Sequence, residues 1–180
     1  DSAQSNGDVI IDNFGVATGR YTEFRADSLT FHSLTVRRYG TLHFKNLPPM
    51  TFEQPIVDSM SSSLWLDANS TINVTNSSGF DIRVSSGSHF YLYPTATLNA
   101  NAVQINGGAL HSQIGLNFSG VSDFELSASG TVEIQGGSVF EIAKFDSANI
   151  KSGTFNIAAG CQLKVDANVV TIGNTVTLIK

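Results

Sequence analysis

The chain has 180 residues, with 10 Lys and Arg against 15 Asp and Glu, a formal net charge of −5, and 14% charged residues in all; ordinary soluble domains carry roughly 25%. That acidic balance argues against a nucleic-acid partner, which needs a basic face to neutralise phosphates. No apolar run approaches the roughly 18 residues of a membrane span, and the length suits one domain, 1–180, with a sizeable core.

In chain order, residues 1–28 fit no register. Val9-Ile-Ile11 has strand character, and Gly7, Gly15 and Gly19 mark turns, so the segment reads as an irregular N-terminal coil or cap. A recurring pattern then begins: two alternating apolar residues, a polar step, a Gly, and two more alternating apolar residues. Leu34-Thr-Val36 leads to Gly40 and Leu42-His-Phe44. Residues 46–61 contain Pro48, Pro49 and Pro55, which cannot donate to a ladder, and read as an enlarged loop. Leu64-Trp-Leu66 follows a rung whose Gly is missing near Ser62. Ile82-Arg-Val84 leads to Gly87 and Phe90-Tyr-Leu92, and Val103-Gln-Ile105 to Gly108 and Leu110. Phe124-Glu-Leu126 leads to Gly130 and Val132-Glu-Ile134, Ile150 to Gly153 and Phe155-Asn-Ile157, and Val170-Thr-Ile172 to Gly173 and Val176-Thr-Leu178.

Alternation with period two means strand. A second corner follows seven residues after each first one, as at Ser62 and Asn69 or Gly130 and Gly137, and is itself followed by an alternating pair. One period of 20–26 residues thus holds three short strands. The fold predicted is an all-β, right-handed, three-sided parallel β-helix of about six to seven rungs, the hand following from the crossover rule. One inward column should read Leu42, Leu64, Phe90, Leu110, Val132, Phe155, Val176. Truncating one member, as in Phe155→Ala, should cost about 3–5 kcal/mol. The last strand, Thr175 to Lys180, lacks a polar cap, which suggests an excerpt of a longer chain or a stacking partner.

The outward position between the inward columns reads His43, Trp65, Tyr91, His111, Glu133, Asn156, with His89 and Tyr93 flanking. His43, Trp65, Tyr91 and His111 are the candidate binding face. Such rings stack on sugars or pack a protein interface, or else only brace the sheet by cross-strand stacking. A second outward ladder is Arg37, Arg83, Gln104, Glu125, Asn149, Thr171, and Glu141 should meet Lys164 as a weak exposed ion pair. N-glycosylation sequons begin at Asn69, Asn73, Asn76 and Asn117. With 14 Asn and 37 Ser plus Thr, chance supplies about three such triplets, so only the clustering of the first three is informative. Cys161 is the single cysteine, so no internal disulfide forms, and it reads as a small core residue.

Catalytic chemistry finds little support. Asp123 and Glu125 alternate on a strand, the nearest approach to a paired-carboxylate site. The His residues at 32, 43, 89 and 111 lack metal-ligand spacing. No cofactor motif, nucleophile elbow or phosphate loop occurs.

The rungs, with runs such as Ser-Gly-Thr-Val-Glu-Ile (129–134) and Ser-Gly-Thr-Phe-Asn-Ile (152–157), resemble the pectin-lyase-like parallel β-helix superfamily over roughly residues 29–180. The likeness is to its non-enzymatic surface adhesins and fibre modules, so no catalytic residues carry over. The functional expectation is an extracellular or cell-surface structural or adhesive module without cofactor or membrane insertion. Its partners would be like subunits, neighbouring domains of a longer chain, or glycans. The alternatives are a carbohydrate-binding or polysaccharide-degrading β-helix and a viral or phage spike fragment.

Overall fold

A computed structural model describes residues 6–24, 30–76, 78–118, 123–143, 145, 148–165 and the backbone of 176–179. Among these residues there is no helix, and every strand pairs in parallel. The chain coils as a β-solenoid of about seven turns. The first turn is β1 (Asp8–Asp12), β2 (Thr22–Glu23) and β3 (Thr30–Phe31); the second is β4 (Ser33–Arg37), β5 (Thr41–Phe44) and β6 (Met50–Phe52). The third is β7 (Ile56–Ser59), β8 (Ser63–Leu66) and β9 (Thr71–Val74); the fourth is β10 (Ile82–Ser85), β11 (His89–Leu92) and β12 (Thr97–Asn99). β13 (Ala102–Asn106), β14 (Ala109–Ser112) and β15 (Leu116–Phe118) follow, then β16 (Asp123–Ser127), β17 (Gly130–Ile134) and β18 (Val139–Ile142). The seventh turn bridges through Ile150 to Leu126 and continues in β19 (Gly153–Ile157) and β20 (Gln162–Val165), and β21 (Val176–Ile179) adds to the second side.

The first side is the sheet β1-β4-β7-β10-β13-β16, and the second is β2-β5-β8-β11-β14-β17-β19-β21. The third side is split into β3-β6-β9-β12 and β15-β18-β20. Partner positions lie 20 residues apart at Thr22 and Leu42 and 26 apart at Ile56 and Ile82. Side chains alternate in and out along each strand, so like positions stack rung over rung. Leu42, Leu64, Phe90, Leu110, Val132 and Phe155 form one continuous inward column, all essentially buried. Cys161 is buried with this core.

Corners between the first and second sides use left-handed backbone. Phe14 and Gly15, Arg38 and Tyr39, Met60 and Ser61, Ser86 and Gly87, and Ala128 and Ser129 are successive positive-φ pairs on rungs one to four and six, while the fifth rung turns on Gly107 alone. The residue entering the second side must be small. In register these are Gly40, Ser62, Ser88, Gly108, Gly130 and Gly153. A Cβ on Gly108 would sit 2.8 Å from Val84 Cγ1, and one on Gly130 would sit 2.9 Å from Ile105 Cγ2. Ser88, not Gly87, therefore fills the third place in the column.

Several local expectations change. Residues 8–31 contain a rung in register with the next: Val9 pairs with Leu34 and Ile11 with Val36. Residues 46–61 are not an enlarged loop, because β6 and β7 place Met50, Phe52 and Ile56 in the core. Pro49 and Pro55 stand immediately before those strands, where no ladder N–H is needed. The added length of the 26-residue turn falls instead at 75–81, between β9 and β10. Phe155 pairs with Leu178 rather than with Val176. Arg37 pairs with Ser59, while Arg83 pairs with Val57, so Arg37 leaves the second outward ladder. Thr171 and Gly173 lie outside the described residues.

Candidate functional face

The outward column of the second side assembles as a line. His43, Trp65, Tyr91, His111, Glu133 and Asn156 are direct partners on six consecutive rungs. The rings stack along the solenoid axis. Centroids are 4.8 Å apart for His43 and Trp65, 4.1 Å for Trp65 and Tyr91, and 4.3 Å for Tyr91 and His111, with interplanar angles of 10°, 24° and 10°. Offset-stacked rings at such distances attract beyond the area they bury. Because the rings lie parallel, Trp65 and Tyr91 each have both faces covered and turn their edges outward. Trp65 Nε1 is buried without a hydrogen-bond partner.

Flanking residues tie the stack down. Tyr93 lies 5.6 Å from Trp65, and His89 lies 5.3 Å from His111. Glu133 Oε2 accepts from His111 Nδ1 at 2.7 Å, and His111 Nε2 meets His89 Nδ1 at 3.0 Å. Burial, then the neighbouring His111, pushes the His89 pKa below the usual imidazole value, against the opposing pull of Glu133. Burial followed by Glu133 raises the Tyr91 phenol, and burial followed by Asp67 raises Tyr93. His43 Nδ1 stands 3.2 Å from Asp67 Oδ2.

Two partners of this face escaped the sequence reading. Tyr21 caps the stack, 4.4 Å from His43 and 57% exposed. It lies beside a two-residue strand, too short to show alternation. Asp67 follows β8 directly, a position that only the register identifies. Together Tyr21, His43, Lys45, Asp67, Tyr93 and Thr95 line an open cavity of about 610 Å³ at the corner of the second and third sides.

Elsewhere, Glu125 Oε2 pairs with Lys151 Nζ at 2.8 Å, and its Oε1 accepts from Gln104 at 3.0 Å. Burial alone would raise its pKa, but these partners outweigh it and hold Glu125 below the ordinary carboxylate range. Asp123 accepts from Asn149 Nδ2 at 3.0 Å. Glu141 and Lys164 pair at 2.9 Å. Among the described residues no three His, Cys, Asp or Glu side chains converge to hold a metal ion.

The four sequon asparagines fall in different settings. Asn69 is an exposed corner residue whose Oδ1 accepts from Thr95 Oγ1 at 3.0 Å. Asn73 points outward from β9 and accepts from Asn99 Nδ2 at 2.7 Å. Asn76 donates to Ser78 O in the turn after β9. Asn117, on β15, donates to Glu141 Oε2 at 2.7 Å.

Comparison of the chain with protein-family models, with curated proteins and with solved structures finds no match.

Proposed function

We propose that the chain is a non-enzymatic structural or adhesive module of an extracellular surface protein or fibre. It acts through flat-face contacts with like subunits or neighbouring domains, in the style of the non-enzymatic pectin-lyase-like β-helices. One observation carries the reading. Rings that would otherwise offer faces to a ligand are stacked on one another down four successive rungs, a pattern that stiffens a rod. The carboxylates nearest to a catalytic pair are engaged by Lys151, Gln104 and Asn149. Sedimentation over a wide concentration range, with electron microscopy of the native source, tests it. Ordered assemblies or a longer stalk are expected; compact 19 kDa monomers at high concentration would refute it.

A second reading, carbohydrate binding, draws support from the corner cavity. Tyr21 and Tyr93 bring ring surface to it, while Asp67 and Lys45 bring polar groups suited to hydroxyls. A glycan array read with Tyr93→Ala and Trp65→Ala decides. Binding lost in the first variant is expected, and binding indifferent to both removes this reading.

A further inference from the structure

Asp58 is the least accommodated group in the core. It lies on β7, 1% exposed, in the inward column between Val36 and Val84. Its Oδ1 accepts from Ser62 Oγ, while its Oδ2 is buried with no partner. Val36 and Val84 pack on it from the flanking strands, and the Leu64 N–H reaches it from β8. Ser62 and Ser88 stack at the same corner position on adjacent rungs, with oxygens 3.3 Å apart. No Lys, Arg or His among the described residues lies in ion-pair distance of it. Tyr91 on β11 feels its charge and, being an acid, supplies no counter-charge. A carboxylate sealed in such a place is far costlier than a carboxylic acid.

We propose that Asp58 is a proton-operated latch: neutral, it stays sealed in the core, and on ionising it draws the corner 59–62 open and loosens the ring ladder beside it.

The corner carries backbone strain that it shares with the equivalent corners of other rungs. Met60 and Ser61 both hold φ of 59° without being Gly, a conformation that costs energy in L-residues, and both are exposed. The ladder follows at once. Ser62 runs into β8, which carries Trp65, and Ser88 runs into β11, which carries Tyr91. Ser62 N also donates to Ser88 Oγ at 3.2 Å, so displacing Ser62 disturbs both strands. Burial pushes the Asp58 pKa up to about 7, against the bonds from Ser62 and Leu64, which puts the latch in the neutral range.

The folded state keeps a proton that the unfolded chain loses near the ordinary Asp value. Stability from this group is therefore complete below about pH 4 and lost as pH rises to about 7. Carbon-13 NMR of the Asp58 carboxyl, with Asp58→Asn for assignment, reads the titration directly; a midpoint near 7 is expected. Fluorescence of the single Trp, Trp65, should change with the same midpoint in the native protein and lose that component in Asp58→Asn. The folding constant of the native protein relative to that variant should fall roughly tenfold per pH unit from about 4 to 7 and then level. Should Asp58→Asn not fold, Ser62→Ala serves: it removes the bond that favours the charged form, so the midpoint must move up. A midpoint in the ordinary carboxylate range, a Trp65 response shared by Asp58→Asn, or a midpoint unmoved by Ser62→Ala would each overturn the latch.

Discussion

Two inward columns of the solenoid are interrupted by a polar residue, and the interruptions behave differently. On the second side Ser112 stands between Leu92 and Ile134, fully buried, and its hydroxyl donates to Ile114 O at 2.8 Å. On the first side Asp58 stands between Val36 and Val84 with one oxygen unmatched. A β-helix core thus admits a polar group where the adjoining corner supplies its partner. A group that asks for more than the corner supplies pays in proton affinity.

Moving the misfit tests the contrast most severely. Ser112→Asp puts a carboxylate beside a carbonyl that can only repel it, and a loss of about 3–5 kcal/mol in chemical denaturation at pH 8 is expected. Native-like stability would mean that the corner near Ile114 has unused capacity. Next, Asp58→Val completes the column of Val36 and Val84 and should gain about 1–3 kcal/mol at pH 8, with the gain turning into a loss of about 1–3 kcal/mol at pH 4, where the native acid keeps its proton in both states. An equal gain at both values would detach the effect from ionisation. The opposite pH sign belongs to His89. Its folded pKa is depressed, so its contribution is present above the ordinary imidazole value of about 6.5 and lost as pH falls through the folded value. His89→Gln should flatten the acid side of the thermal-melt profile and leave the alkaline side unchanged. Ser112→Ala, which removes one satisfied bond, should cost about 1 kcal/mol. Lys164→Ala, at an exposed pair, should cost under about 1 kcal/mol and set the floor of the scale.

Most of the coil could be read from the chain because a repeat shows itself wherever strands are long enough to alternate. The columns through Leu64, Phe90, Leu110 and Val132, and the outward line from His43 to Asn156, needed only period two and the spacing of corners. Asp58 stayed hidden because it occupies an apolar position in a stretch punctuated by proline, where Ile56-Val-Asp-Ser59 looks like loop. Pro marks a strand's start as readily as its absence, and only pairing tells which. Tyr21 and the rung of residues 8–31 were obscured by strands of two residues. The pairing of Phe155 with Leu178 was missed because the register was set on Gly173, whereas Gly153 pairs with Val176, 23 residues on, the same spacing as Gly130 to Gly153.

The broken third wall sets how the rod responds to load. The second wall runs unbroken along the described turns and the first runs from β1 to β16, while the third is interrupted between β12 and β15. A tube with such a seam is stiff in tension and in bending that spares the split wall. It folds most readily in the plane that gapes or closes there. If a longer stalk transmits force through this module, the compliance of that stalk concentrates at the seam between β12 and β15, and its bending has a preferred direction.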